Sequence, residues 1–245
     1  MSPTALLTCG ALAREVLAIV RSRGWDVEVH AISAREHMTP MRIAPLVERR
    51  LRELLPRVER VAVVYGDCGT RGELDEVLQR FGVPRVAGPH CYEMYAGADF
   101  TALAAEEPGT FFLTDFLLRS FDGLVWKGLG LDRHPQLAAD YFGNYTRVVY
   151  LVQFEDATLR ARAAAVAARL GLSLEIRRTG CGALESRLVT LIEEMRAGLH
   201  APRREALDDN DRSDSVLARH PVAGARTRRP RARQRGAQRP IPGSH

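Results

Sequence analysis

Three cysteines and two histidines carry most of the chemistry this sequence could perform. Cys9, Cys68 and Cys91 are separated by 59 and 23 residues and form no C-x-x-C pair, so only tertiary structure can bring them together. Thiolate is the form of cysteine that attacks electrophiles and binds soft metals. Three thiolates with one imidazole make the mixed sulfur and nitrogen set that suits zinc, and three thiolates alone can hold an iron–sulfur cluster with one iron left open. The imidazole could come from His37, which precedes Pro40, or from His90, which adjoins Cys91. Glu93, two residues beyond Cys91, is the first candidate general acid or base, and Asp67, beside Cys68, is the second. Either carboxylate could instead cap a helix or orient a ligating histidine. A plain reading stands beside the chemical one, because lone cysteines are among the residues most often buried as small apolar side chains.

The elements that must position these residues follow from hydrophobic period. Short runs rich in Val, Leu and Ile alternate with longer segments of helical period, the pattern of βα units around a mainly parallel sheet. Strands are expected at residues 4–8, 26–32, 60–65, 84–87, 110–113, 146–153 and 172–177. Helices are expected at 11–23, 42–55, 72–81, from 115 onward, at 157–170 and at 183–197. Gly24, Gly82 and Gly171 each follow a helical pattern, where a left-handed terminal residue favours glycine. The expected fold is a three-layer, Rossmann-like α/β domain over residues 1–200 with helices on both faces of the sheet. In such a sheet ligands bind beyond the carboxyl ends of the strands. The first strand delivers Cys9 to that edge, the second Glu36, His37 and Pro40, the third Asp67 and Cys68, and the fourth His90, Cys91 and Glu93. Helix N-termini beside these thiols should lower their pKa and favour thiolate. Thr114 and Asp115 also reach the edge, where they should cap the next helix. Asn144 and Tyr145 fall at the opposite end.

Cys181 lies in Cys181-Gly182-Ala183-Leu184, a repeat of Cys9-Gly10-Ala11-Leu12, again between a strand and a helix. It is either a fourth ligand or a turn residue.

The formal net charge of +5 is unevenly distributed. Residues 201–245 hold eleven arginines against five acids, which leaves residues 1–200 close to neutral. The Arg-rich stretch, poor in apolar period, reads as a disordered tail that could contact nucleic acid weakly, although it has no interleaved aromatics for base stacking. The N-terminal stretch has no basic leader and no run approaches the ~18 apolar residues of a membrane span, so a cytoplasmic protein without a membrane partner is expected. There the thiols would stay reduced. No G-x-G-x-x-G follows the first strand, and neither G-x-x-x-x-G-K-[ST] nor G-x-S-x-G occurs, which argues against nucleotide-driven and serine-hydrolase chemistry.

The residues that carry this argument also carry a resemblance. Cys9-Gly10-Ala11-Leu12 with Glu15, His37 with Pro40, Tyr65-Gly66-Asp67-Cys68-Gly69, His90 through Gly97 and Phe112-Leu113-Thr114 resemble the pattern of the uncharacterised bacterial and archaeal family called domain of unknown function 1638. The similarity spans roughly residues 4–197. It implies that Cys9, Cys68 and Cys91 belong together as a set, without Cys181, and it points toward one-carbon or sulfur metabolism. The expectation is therefore a metal-binding protein, with zinc or an iron–sulfur cluster on Cys9, Cys68, Cys91 and His37 or His90. It would act in methyl-transfer-like chemistry on a small-molecule substrate, with Glu93 handling protons. Two alternatives remain: a non-catalytic metal or cofactor carrier serving a partner enzyme, and a metal-free enzyme with Cys91 as nucleophile.

Overall fold

The structure is a computed structural model and describes residues 4–207. In chain order the elements are β1 (Thr4–Cys9), α1 (Ala13–Ser22), β2 (Val27–Ile32), α2 (Ile43–Leu54), β3 (Arg60–Val64), α3 (Glu73–Phe81), α4 (Cys91–Ala96), α5 (Ala98–Glu106), β4 (Thr110–Thr114), α6 (Asp115–Phe121), α7 (Ala138–Phe142), β5 (Arg147–Val152), α8 (Ala157–Leu170), β6 (Ser173–Arg178) and α9 (Gly182–Arg196). Every strand pairing is parallel, as the alternating pattern requires.

The strands divide between two sheets, of order β2-β1-β3 and β4-β5-β6. β1 is central in the first, and the run Ala5-Leu6-Leu7 is fully buried because helices cover both faces of the sheet. In the second sheet the two faces of β5 feed different cores. Val148, Tyr150 and Val152 pack with α6 and α8, while Val149 and Leu151 pack with Leu103, Phe112 and the aromatic side chains Tyr92 and Phe100. Each fully buried aliphatic side chain of this kind contributes ~1.5–3 kcal/mol relative to exposure. α9 follows the second sheet in sequence but returns to the first. Leu184, Leu188, Leu191, Ile192 and Met195 join its core, and Glu185 pairs with Arg23 at the end of α1 at 2.7 Å.

The α/β class, the parallel pairing and most element positions agree with the sequence. Gly82 and Gly171 close α3 and α8 in left-handed conformations, as their positions suggested. Two expectations are revised. The segment 84–87 forms only a bridge, Val63 to Arg85, because Pro84 lacks an N–H and the turn through Gly88 and Pro89 follows at once. It still lies along β3, held by Val63 N to Pro84 O and Val86 N to Val63 O, both 2.9 Å. The boundary expected at residue 200 also moves, since residues 201–207 dock on the first sheet's helices. Ala206 is buried there, the Arg204 guanidinium donates to the carbonyls of Leu55 and Val58, and Arg52 donates to those of Ala206 and Leu207. The rest of the expected tail, residues 208–245, lies outside the described residues. Among the described residues no helix is long and apolar enough to cross a membrane.

Candidate functional site

The carboxyl edge of the first sheet gathers the thiols from three separate loops. Cys9 ends β1, is 2% exposed, and its sulfur accepts a hydrogen bond from the Ala11 amide at 3.3 Å. Cys68 sits in the loop after β3 at φ 49°, a left-handed conformation uncommon for a residue with a Cβ. The loop is held in this form by Asp67, whose carboxylate accepts from the Thr70 hydroxyl at 2.6 Å and from the amides of Gly69, Arg71 and Gly72. Cys91 opens α4 on the neighbouring loop. The two loops are docked backbone to backbone. The Cys68 amide donates to the Pro89 carbonyl at 3.0 Å, and a Cβ on Gly66 would come within 2.7 Å of that same oxygen. Glycine at 66 is thus required by close approach.

The thiols are near enough to influence one another's ionisation. Burial raises the Cys9 thiol. Cys68 is pushed up to about 12, first by burial and then by Cys9. Cys91 lies well above the ordinary thiol range, through burial and then through Cys68 and Cys9. The expected lowering by helix N-termini is therefore corrected: backbone donors do favour the thiolates, but desolvation is the larger effect. Without a cation the cluster consists of neutral thiols. Among the described residues, no group of three or more His, Cys, Asp and Glu side chains is gathered tightly enough to hold a metal ion as they stand.

The two histidines separate clearly. His37 Nδ1 lies 2.9 Å from the Ala34 carbonyl, which can only accept, so that nitrogen carries the hydrogen. In the neutral ring Nε2 is then the free acceptor, and it faces the Cys9 sulfur at 3.9 Å. This carbonyl-anchored imidazole is the outer-shell arrangement that orients metal-ligating histidines. Its ring stacks on Tyr65, centroids 5.8 Å apart. His90 instead caps α4, its Nδ1 accepting from the Glu93 amide, and its ring packs edge-on against Phe100 at 4.7 Å.

The two carboxylates singled out from sequence are occupied elsewhere. Glu93 forms a two-point ion pair with Arg187 of α9, at 2.6 and 2.5 Å, which holds its carboxyl below the usual range. Asp67 organises the Cys68 loop, and hydrogen bonds from Thr70 and Gly72 keep its pKa low. Both position the thiol loops and neither presents a free carboxyl to the thiols. Cys181 precedes α9 and is pushed up to about 11 by burial and then by Glu15 and Glu185, with none of the other three thiols among the causes. Thr114 caps α6 as expected.

Sequence reasoning missed two groups. Tyr65, buried at the end of β3, turns its hydroxyl toward Cys9 without a well-formed hydrogen bond. Glu15, in the first turn of α1, is 1% exposed and neither carboxyl oxygen has a hydrogen-bond partner. Burial pushes its pKa up; the Tyr95 hydroxyl beside it acts in the opposite sense, and Asp115 adds to the rise. The available signal was a glutamate on an otherwise apolar helical stripe, Leu12, Val16 and Ile19.

Residues 31–188 match the family described as "Protein of unknown function (DUF1638)". The chain belongs to this family. The matched segment contains His37, Cys68, Cys91 and Cys181, while Cys9 and Glu15 lie before it. No curated protein matches the chain.

Proposed function

We propose that this DUF1638 protein binds a metal, zinc or an iron–sulfur cluster, through Cys9, Cys68 and Cys91, with His37 as the nitrogen donor. The observation that supports this reading best is the convergence of three thiols, in which Cys9 raises the pKa of Cys68 and both raise that of Cys91. Such a set resists ionisation when empty and would lose its protons together to a cation. The donor chemistry fits both metals, and closing the set on an ion requires side-chain movement. A bound zinc would stabilise a substrate thiolate or polarise a substrate, the chemistry wanted for methyl transfer to or from sulfur. In this reading the chain's residues have defined work. His37 is oriented by Ala34, Asp67 and the Glu93–Arg187 pair hold the thiol loops, and Tyr65 excludes water from Cys9. Glu15, which shares the neighbour Tyr95 with Cys91, is the candidate for the acid and base role first given to Glu93.

The full chain, purified anaerobically, should carry stoichiometric zinc without colour, or iron and sulfide with absorbance near 400 nm. Cys9→Ser, Cys68→Ser and Cys91→Ser should each lose the metal, and Cys181→Ser should keep it. Absence of metal from the unaltered protein, or equal retention by all four variants, would overturn the reading. One observation favours a second reading. The Cys9–His37 contact is that of a thiol and its base, so a metal-free nucleophile, if there is one, would be Cys9 and not Cys91.

A further inference from the structure

A cleft of about 390 Å³ separates the carboxyl edge of the first sheet from α6 of the second, a size suited to a small metabolite. Gly10, the residue after Cys9, forms part of one wall together with Ser33 and Arg35 from the turn after β2. Phe116, Arg119 and Leu124 come from the opposite side. The two charged residues lining the cleft are both arginines; the acid nearest them, Asp115, contacts Arg119 without lining the cleft.

The two guanidiniums differ in how far they are already engaged. Many of the arginines among the described residues pair with a carboxylate, but Arg35 makes no ion pair among them. Arg119 reaches Asp115 through a single nitrogen at 3.4 Å. Asp115 is fully buried and has further donors besides this one. Its carboxylate already accepts from the Tyr150 hydroxyl at 2.8 Å and from the amides of Gln153 and Phe154, both at 3.1 Å. The Ser33 oxygen accepts from the Arg35 amide at 3.3 Å, which leaves its hydroxyl proton free to donate into the cleft. Two guanidiniums, a hydroxyl and an apolar wall of Phe116 and Leu124 are matched to an anion attached to a short apolar body.

We infer that this cleft binds a small organic anion, a carboxylate or a phosphate ester, held between Arg35 and Arg119. Gly10, the residue after Cys9, lines this cleft, while Cys9 itself is buried. The anion's role as the substrate of the thiol site rests on the function proposed above; its binding does not.

The test uses the full-length protein stripped of metal, with thermal unfolding followed at constant ionic strength against acetate, succinate, inorganic phosphate and methyl phosphate, and against neutral acetamide and succinamide. At least one anion should raise the melting temperature saturably, and the amides should not. Carboxylates acting alone would assign a carboxylate ligand, and phosphates acting alone a phosphoryl one. Arg35→Met and Arg119→Met should each weaken binding tenfold or more, whereas Arg160→Met, a guanidinium remote from this cleft, should leave it unchanged. Cys68→Ser should lose metal yet keep anion binding, so failure of the metal reading and failure of this one are separately visible. The inference is overturned if no anion stabilises saturably, if the amides act equally, or if the two cleft variants bind as the unaltered protein does.

Discussion

Replacing Glu15 by methionine should make the protein more stable. A buried carboxyl without hydrogen-bond partners costs about 1–3 kcal/mol in lost hydration, and neither oxygen of Glu15 makes a well-formed hydrogen bond, although the Tyr95 hydroxyl lies beside them. Methionine has similar length, fits irregular apolar surroundings and is flanked here by Leu12, Val16 and Ile19 on the same helical face. For a chain of this size each kcal/mol moves the midpoint by roughly 2–4 °C, so a rise of about 2–12 °C is expected. The gain should depend on pH. Because the folded pKa of Glu15 lies above its unfolded value, the stability associated with its proton is fully present below about pH 4.3, the ordinary glutamate value. It is lost as pH rises through the folded value. The methionine variant lacks that loss, so its advantage should widen from pH 4 to pH 8. Calorimetry or thermal circular dichroism across that range measures both effects. A variant less stable by 1 kcal/mol or more, or an advantage that does not change with pH, would show that the carboxyl is well satisfied and would remove Glu15 as a candidate acid or base.

Other perturbations address the thiols and their supports. In metal-free protein at pH 7–8, Cys68 should alkylate ~10³-fold more slowly than an ordinary exposed thiol, in line with a pKa near 12; mass-resolved iodoacetamide kinetics showing normal reactivity would contradict the neutral cluster. Glu93→Gln removes the partly buried pair with Arg187 and should cost about 1–2 kcal/mol. Because the Glu93 pKa is lowered in the fold, this contribution is present above the unfolded value and lost as pH falls through the folded one, so variant and parent should converge in acid denaturation. Gly182→Ala places a methyl group into the Tyr95 carbonyl at φ 49° and should cost about 1–3 kcal/mol or more in urea unfolding; an unchanged midpoint would mean that α9 and α4 are not docked as described.

The sequence was readable wherever local pattern decides structure. Alternating apolar runs and helical periods placed β1 to β6 and the major helices, and the rule that parallel sheets present ligands at their carboxyl edge selected Cys9, Cys68 and Cys91 as a set. The division into two sheets was not readable, because it depends on which strand β4 pairs with, and two parallel sheets have the same local pattern as one. The roles of Glu93 and Asp67 were missed for a similar reason. Arg187 is 94 residues from Glu93, and nothing local to Glu93 announces its partner. Glu15 and Tyr65 were legible as motif residues but not as polar groups of the site, because their sequence positions are those of core residues.

These misses have a common physical form. The carboxylates that the sequence advertises, next to cysteines in turns, are the well-solvated and well-bonded ones, with pKa values held low. A group that exchanges protons near neutrality needs the opposite environment: burial, few donors and a raised pKa. Glu15 meets that description, and it stands on α1, directly after the loop that carries Cys9. Its electrostatic neighbours Asp115 and Arg119 belong to the second sheet's helix, and Arg119 also lines the cleft. Glu15 thus couples electrostatically to an arginine that lines the cleft, and Gly10, the residue after Cys9, lines the same cleft. A desolvated carboxyl opposes folding, so the raised pKa of Glu15 is a property that stability alone does not select.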